Sequence, residues 1–210
     1  MRKEKLEWTH YESREGDKKI LIIGDSIVWG SHALIEEILP EGYGLTTIAT
    51  SDGVNEDNYV RCISALATAN DTYYEAVYFN NGLHIRGQNA DEYEENYEKA
   101  VTELMKAIPA KKWILGFSTP IQGKPASNTD NEAPISDQEE KSIIARNAII
   151  IEFNERVKKI AANLGLPYYD AYSFIEKRND LKTDNYHYNL EGRQLIADAI
   201  CKRIFDEINL

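Results

Sequence analysis

The chain has 210 residues, 42% hydrophobic and 28% charged, with a net charge of −11, an ordinary mix for one domain with a real core. At a pI near 4.9 its surface should repel phosphate backbones and anionic lipid, which argues against nucleic acid and membranes as partners. Cys62 and Cys201 lie far apart, so neither a disulfide framework nor a CxxC metal knuckle is expected.

Residues 1–18 are polar and read as an N-terminal arm ahead of a single domain over residues 19–210. The arm holds no apolar core of a secretory leader, and no run approaches the ~20 apolar residues of a membrane helix. The default expectation is a cytoplasmic protein, or a secreted or periplasmic one if a leader has been removed. In chain order, apolar runs at 19–23, 45–49, 75–79, 112–117 and 166–169 predict strands. The runs are continuous rather than alternating, which suits strands covered on both faces. Helices are expected over 31–39, 57–69, 89–108, 138–164 and 190–207. The third crowds acids into its first turn, where the helix dipole favours them, and the fourth ends near Gly165. Strands alternating with helices imply an α/β fold. The expected form is a three-layer α/β/α sandwich around a mainly parallel, flavodoxin-like five-stranded sheet. Residues 118–137 hold three of the six prolines and read either as a loop overhanging a site or as a plain surface loop.

Ligands in such sheets sit beyond the carboxyl ends of the strands, and four polar motifs fall there. Gly24-Asp25-Ser26 follows the first strand, where a serine hydroxyl can be exposed and its N–H can face an oxyanion. Gly-Asp-Ser is equally good turn and N-cap sequence. Ser51-Asp52-Gly53 follows the second strand, where Gly53 allows close backbone approach and a further N–H donor. Asn80-Asn81-Gly82-Leu83-His84 follows the third. It offers an Asn amide for an oxyanion, or simply a turn. Asp184-Asn185-Tyr186-His187 precedes the last helix. There an Asp three residues before a His can fix the imidazole tautomer and leave Nε2 free to take a serine proton.

In this order the blocks resemble the SGNH, or GDSL-like, serine hydrolases over residues 19 to about 207. The resemblance implies an SGNH-type fold and a serine esterase acting through an acyl-enzyme. Ser26 would be the nucleophile, His187 the base and Asp184 its orienter. The N–H groups of Ser26 and Gly53, with the amide of Asn80 or Asn81, would form the oxyanion hole, Asn80 being favoured by the variant Asn-x-Gly form of the third block. Asp25, His84 and Tyr186 are candidate substrate contacts. The implied substrate is a small-molecule or carbohydrate ester with a short, acetyl-like acyl group. A non-catalytic binding domain on the same fold and an acyltransferase with the same triad are the alternatives. No metal site is expected, because His10, His32, His84 and His187 are scattered and neither HxH nor HExxH occurs. No cofactor is expected either, since no G-x-G-x-x-G or P-loop sequence is present.

Overall fold

The computed structural model describes residues 8–70, 72–84, 87–121 and 136–210. Six strands form one sheet: β1 (Thr9–Ser13), β2 (Lys18–Gly24), β3 (Tyr43–Thr50), β4 (Tyr74–Phe79), β5 (Trp113–Gly116) and β6 (Tyr168–Tyr169). The helices are α1 (Ser26–Ile38), α2 (Tyr59–Ala67), α3 (Ala90–Ala107), α4 (Asp137–Leu164), α5 (Ala171–Ile175) and α6 (Leu190–Ile208). Spatial order is β1-β3-β2-β4-β5-β6, and every pairing is parallel except β1 with β3.

The five expected strands make up the parallel part. Ile20, Leu21, Ile22 and Ile23 of β2 are wholly buried, as a central strand with helices on both sides must be. Alternation sorts their side chains. Leu21 and Ile23 join Val77, Phe79 and Leu115 under α2, α3 and α4. Ile20 and Ile22 join Ala76, Tyr78 and Ile114 under α1 and α6. The helices carry legible ends. Asn89 and Glu92 form a reciprocal capping box at α3, and Gly165 closes α4 at φ 66°, a conformation that costs glycine nothing.

The sheet has a sixth strand that the apolar pattern does not predict. Residues 9–13, expected in a polar arm, pair with β3 from Thr9 opposite Thr50 to Ser13 opposite Thr46. Backbone pairing and the hydroxyl pairs Thr9–Thr50 and Ser13–Thr46, each at 3.0 Å, hold them there rather than burial. Helix α1 also starts five residues earlier than its expected range, because Asp25 caps it by accepting the Ile27 N–H at 2.9 Å. The expected loop at 118–137 falls mostly on residues 122–135, outside the described residues. Its start is gripped by α4. Asn154 exchanges hydrogen bonds with the Ser118 backbone at 2.9 and 3.0 Å, and Asn147 does the same with Ile121. Among the described residues no helix is long and apolar enough to cross a membrane.

Candidate active site

With β2 first among the parallel strands, their spatial order becomes 2-1-3-4-5, and the sheet changes winding direction beside β2. That is where a doubly wound sheet opens a crevice at its carboxyl edge. Ser26, the first residue of α1, sits at that edge. Its N–H has no partner in the helix ladder. The loop between the short helical turn Asn179–Leu181 and α6 brings Asp184 and His187 to the same place.

His187 Nε2 lies 2.9 Å from Ser26 Oγ, and His187 Nδ1 lies 2.7 Å from Asp184 Oδ2. The other carboxylate oxygen, Oδ1, accepts the N–H groups of Tyr186 and His187, each at 2.7 Å. Partial burial pushes the Asp184 carboxyl up, but the His187 N–H, the imidazole and the Tyr186 N–H outweigh it and hold the group at about 2. An ionised Asp184 can only accept. Nδ1 therefore carries the imidazole proton, and Nε2 is left to accept from the serine hydroxyl.

Two cavities open onto this pair. One, of about 400 Å³, is walled by Trp8, His10, Trp29, Leu83, His84 and Tyr186. The other, of about 260 Å³, lies toward Gly30, Tyr188 and Arg193. Among the described residues no group of three or more His, Cys, Asp or Glu is placed to hold a metal ion.

A nucleophile-base-carboxylate series at the mouth of a crevice is acyl-transfer geometry, and the sequence carries the matching family. The model of the GDSL-like lipase/acylhydrolase family matches residues 20–200. The chain belongs to this family. It is a carboxylic-ester hydrolase of the GDSL type. No curated protein matches its sequence. Solved esterase structures share its fold at low identity. An aryl esterase from M. smegmatis is 14% identical, with TM-score 0.69, covering 90% of this chain and 99% of its own. A carbohydrate acetylesterase from Sinorhizobium meliloti is 15% identical, with TM-score 0.65 over 90% and 99%. An acetylxylan esterase from Geobacillus stearothermophilus, solved as a catalytic mutant, is 16% identical, with TM-score 0.62 over 91% and 95%.

The GDSL-like chain does not bring every expected site residue to the serine. Asp25, expected at the substrate, is wholly buried. As N-cap its carboxylate turns back onto α1, and burial pushes its pKa up, against the pull of His84 and His187. Asn81, expected as an oxyanion donor, is spent on the neighbouring loop. Its Oδ1 accepts the Val54 N–H at 3.3 Å, and its Nδ2 donates to Asp52 O at 2.9 Å and to the Tyr59 hydroxyl at 3.5 Å. Asn81 thus braces the turn that carries Gly53. There a Cβ would come within 2.8 Å of the His84 carbonyl and 2.6 Å of Asn55 Oδ1, so only glycine fits. Asn80 Nδ2 donates to Gly116 O at 2.9 Å, leaving its second amide hydrogen. His84 and Tyr186 do wall the larger cavity, and the Tyr186 hydroxyl accepts from Arg146.

Lysine 182 was not among the expected residues. It is 2% exposed. Its ammonium donates to Pro120 O at 2.9 Å and to Tyr186 O at 2.7 Å, and lies 3.7 Å over the Tyr188 ring. It ties the Asp184–His187 loop to the segment after β5. Burial lowers its pKa to about 7, with the Asp184 charge pulling the other way. A lysine in a polar loop reads as solvated, so no sequence signal marks it.

Proposed function

We propose that the chain hydrolyses short acyl esters, acetyl esters of carbohydrate above all, through an acyl-enzyme on Ser26. The single observation that carries this reading is the unbroken series Asp184 to His187 to Ser26, at 2.7 and 2.9 Å. His187 takes the hydroxyl proton as Ser26 Oγ attacks the ester carbonyl. Asp184 orients the ring and stabilises the imidazolium. The collapsing tetrahedral intermediate expels the alcohol, which takes the proton back from His187. Water then attacks the acyl-enzyme with His187 again as base, releasing the acid and free Ser26.

The Ser26 and Gly53 N–H groups are the proposed main-chain oxyanion donors, joined by the remaining amide hydrogen of Asn80. The acetyl preference is supported by the carbohydrate and xylan acetylesterases among the structural relatives. Acyl transfer to a sugar hydroxyl would use the same groups and differ only in what reaches the acyl-enzyme second.

Hydrolysis of p-nitrophenyl acetate and p-nitrophenyl octanoate, wild type beside Ser26→Ala, tests the reading. Acetate should be the better substrate, and turnover should fall by at least about 10³-fold in a variant that still folds. Turnover that persists in Ser26→Ala would remove the serine from the mechanism.

A further inference from the structure

Strand β1 and the chain just outside it send every second side chain to the α1 side of the sheet. Trp8, His10, Glu12 and Arg14 follow one another at that period, and α1 presents Trp29, His32 and Glu36 to them. Arg14 reaches Glu36 at 3.3 Å. Glu12 reaches His32 Nε2 at 3.1 Å. The His10 ring stacks on Trp29 with centroids 4.3 Å apart and planes within 9°, and His32 stacks on the same indole at 4.2 Å and 10°. Two imidazoles that close do not fit side by side on one indole face, so Trp29 is sandwiched and serves as the anchor of the row.

Trp8 ends the row under different conditions. Its carbonyl is fixed by the Ser51 N–H at 3.1 Å and the Thr50 hydroxyl at 3.2 Å. Its ring meets His10 at 5.2 Å and 37°, and His84 at 6.1 Å and 79°. Neither neighbour lies parallel to it, so among the described residues no ring is stacked on Trp8. The half-buried indole faces the same cavity as Ser26 and His187, with His10, Leu83, His84 and Tyr186 around it. Among the described residues no acidic side chain lines that wall. It offers an aromatic face, imidazole nitrogens, an indole N–H and a phenol. An aromatic face suits the C–H face of a saturated ring, and mixed donors and acceptors suit its hydroxyls.

We propose that β1 is a substrate-recognition strand, in which Trp8 and His10 hold the alcohol half of the ester, and that this half is a pyranose-like cyclic polyol. Glu12, Arg14 and the α1 residues are positioning groups that fix the strand. The proposal rests on the esterase reading above and adds the leaving-group site.

The test compares acetate release from a mono-acetylated methyl xylopyranoside, whose other hydroxyls are free, with release from ethyl acetate, each divided by its rate with hydroxide to remove intrinsic reactivity. The wild type should favour the sugar ester by about ten-fold or more in kcat/KM. Trp8→Ala should erase most of that preference through KM. His10→Ala, on an exposed edge, should move it the same way and stands in if Trp8→Ala does not fold. Equal corrected rates for the two esters in the wild type would overturn the proposal, as would a proportional fall for both in the variants. Release of both esters that survives Ser26→Ala would instead overturn the esterase reading.

Discussion

Ser26 and His187 meet at 2.9 Å, yet they are located by different forces. The turn of the proposed nucleophile is fixed by packing. Ile20 to Ile23 before it are wholly buried, and so is Asp25 at its centre. The loop of the proposed base is fixed by hydrogen bonds. The Asp184 and His187 side chains are 45% and 42% exposed, and the loop is held by Asp184, by the Thr183 N–H on His187 O at 2.9 Å and by the Lys182 ammonium. Apolar burial is non-directional and summed over many contacts, whereas a few polar bonds set an angle and a tautomer. Damage on the serine side should therefore show first in stability, and damage on the histidine side first in turnover.

The largest expected effect is on the histidine side. Asp184→Asn puts a donor where Nδ1–H needs an acceptor, which favours the wrong tautomer. kcat for p-nitrophenyl acetate should fall about 10⁴-fold with the melting temperature little changed. A fall below ten-fold would break the contrast. Lys182→Met comes next. It removes both loop ties while keeping most of the side-chain volume, and a misplacement near 1 Å costs about 10²-fold, to be read as a loss in kcat with KM for a small ester held. A change confined to KM would show that the ammonium does not position the base.

The same variant has a pH signature. With Lys182 held at about 7, the unfolded chain keeps a proton that the folded chain releases between there and the ordinary lysine range near ~10.4. In that window the contribution of Lys182 to stability rises with pH. Urea midpoints of wild type and Lys182→Met should diverge upward in favour of the wild type from pH 7 to 9.5, and parallel midpoints would contradict the burial argument. The smallest effect belongs to the serine side. Ile22→Val should lower stability by about 0.5–1.5 kcal/mol and leave kcat within about two-fold, read by urea unfolding beside steady-state rates.

How much of this was legible follows from the same contrast. Apolar runs covered by helices announce themselves, so β2 to β5 and the long helices could be read from residue types, and the half-exposed β6 from its short apolar and aromatic run. Strand β1 could not, because an edge strand whose residues are mostly exposed carries no apolar run. Its partners on α1 are polar and aromatic residues that read as surface. In the site, the meeting of Ser26, Asp184 and His187 could be anticipated, because residue types at that spacing are tied to one chemistry, and the fold does bring them within hydrogen-bond distance. The two asparagines were not separable, since only the fold decides that Asn81 turns to Asp52 and Val54 while Asn80 turns to Gly116. Asp25 was over-read, because a carboxylate beside a nucleophile suggests a ligand contact when its place in the fold is a helix cap.

The pleat of β1 sets a rule of parity for the N-terminus. Trp8, His10 and Glu12 face α1, while Thr9 and Ser13 meet the hydroxyls of Thr50 and Thr46 on the other side. Sliding the strand by one residue would exchange the two sets, sending threonine and tyrosine to the crevice and the indole away from it. A change in the Arg14–Asp17 connection that slid β1 by one residue would therefore strip the crevice wall of its indole, whereas one taken up in the turn would leave the register and the wall as they are, so the first strand is read by the rest of the enzyme as odd or even before it is read residue by residue.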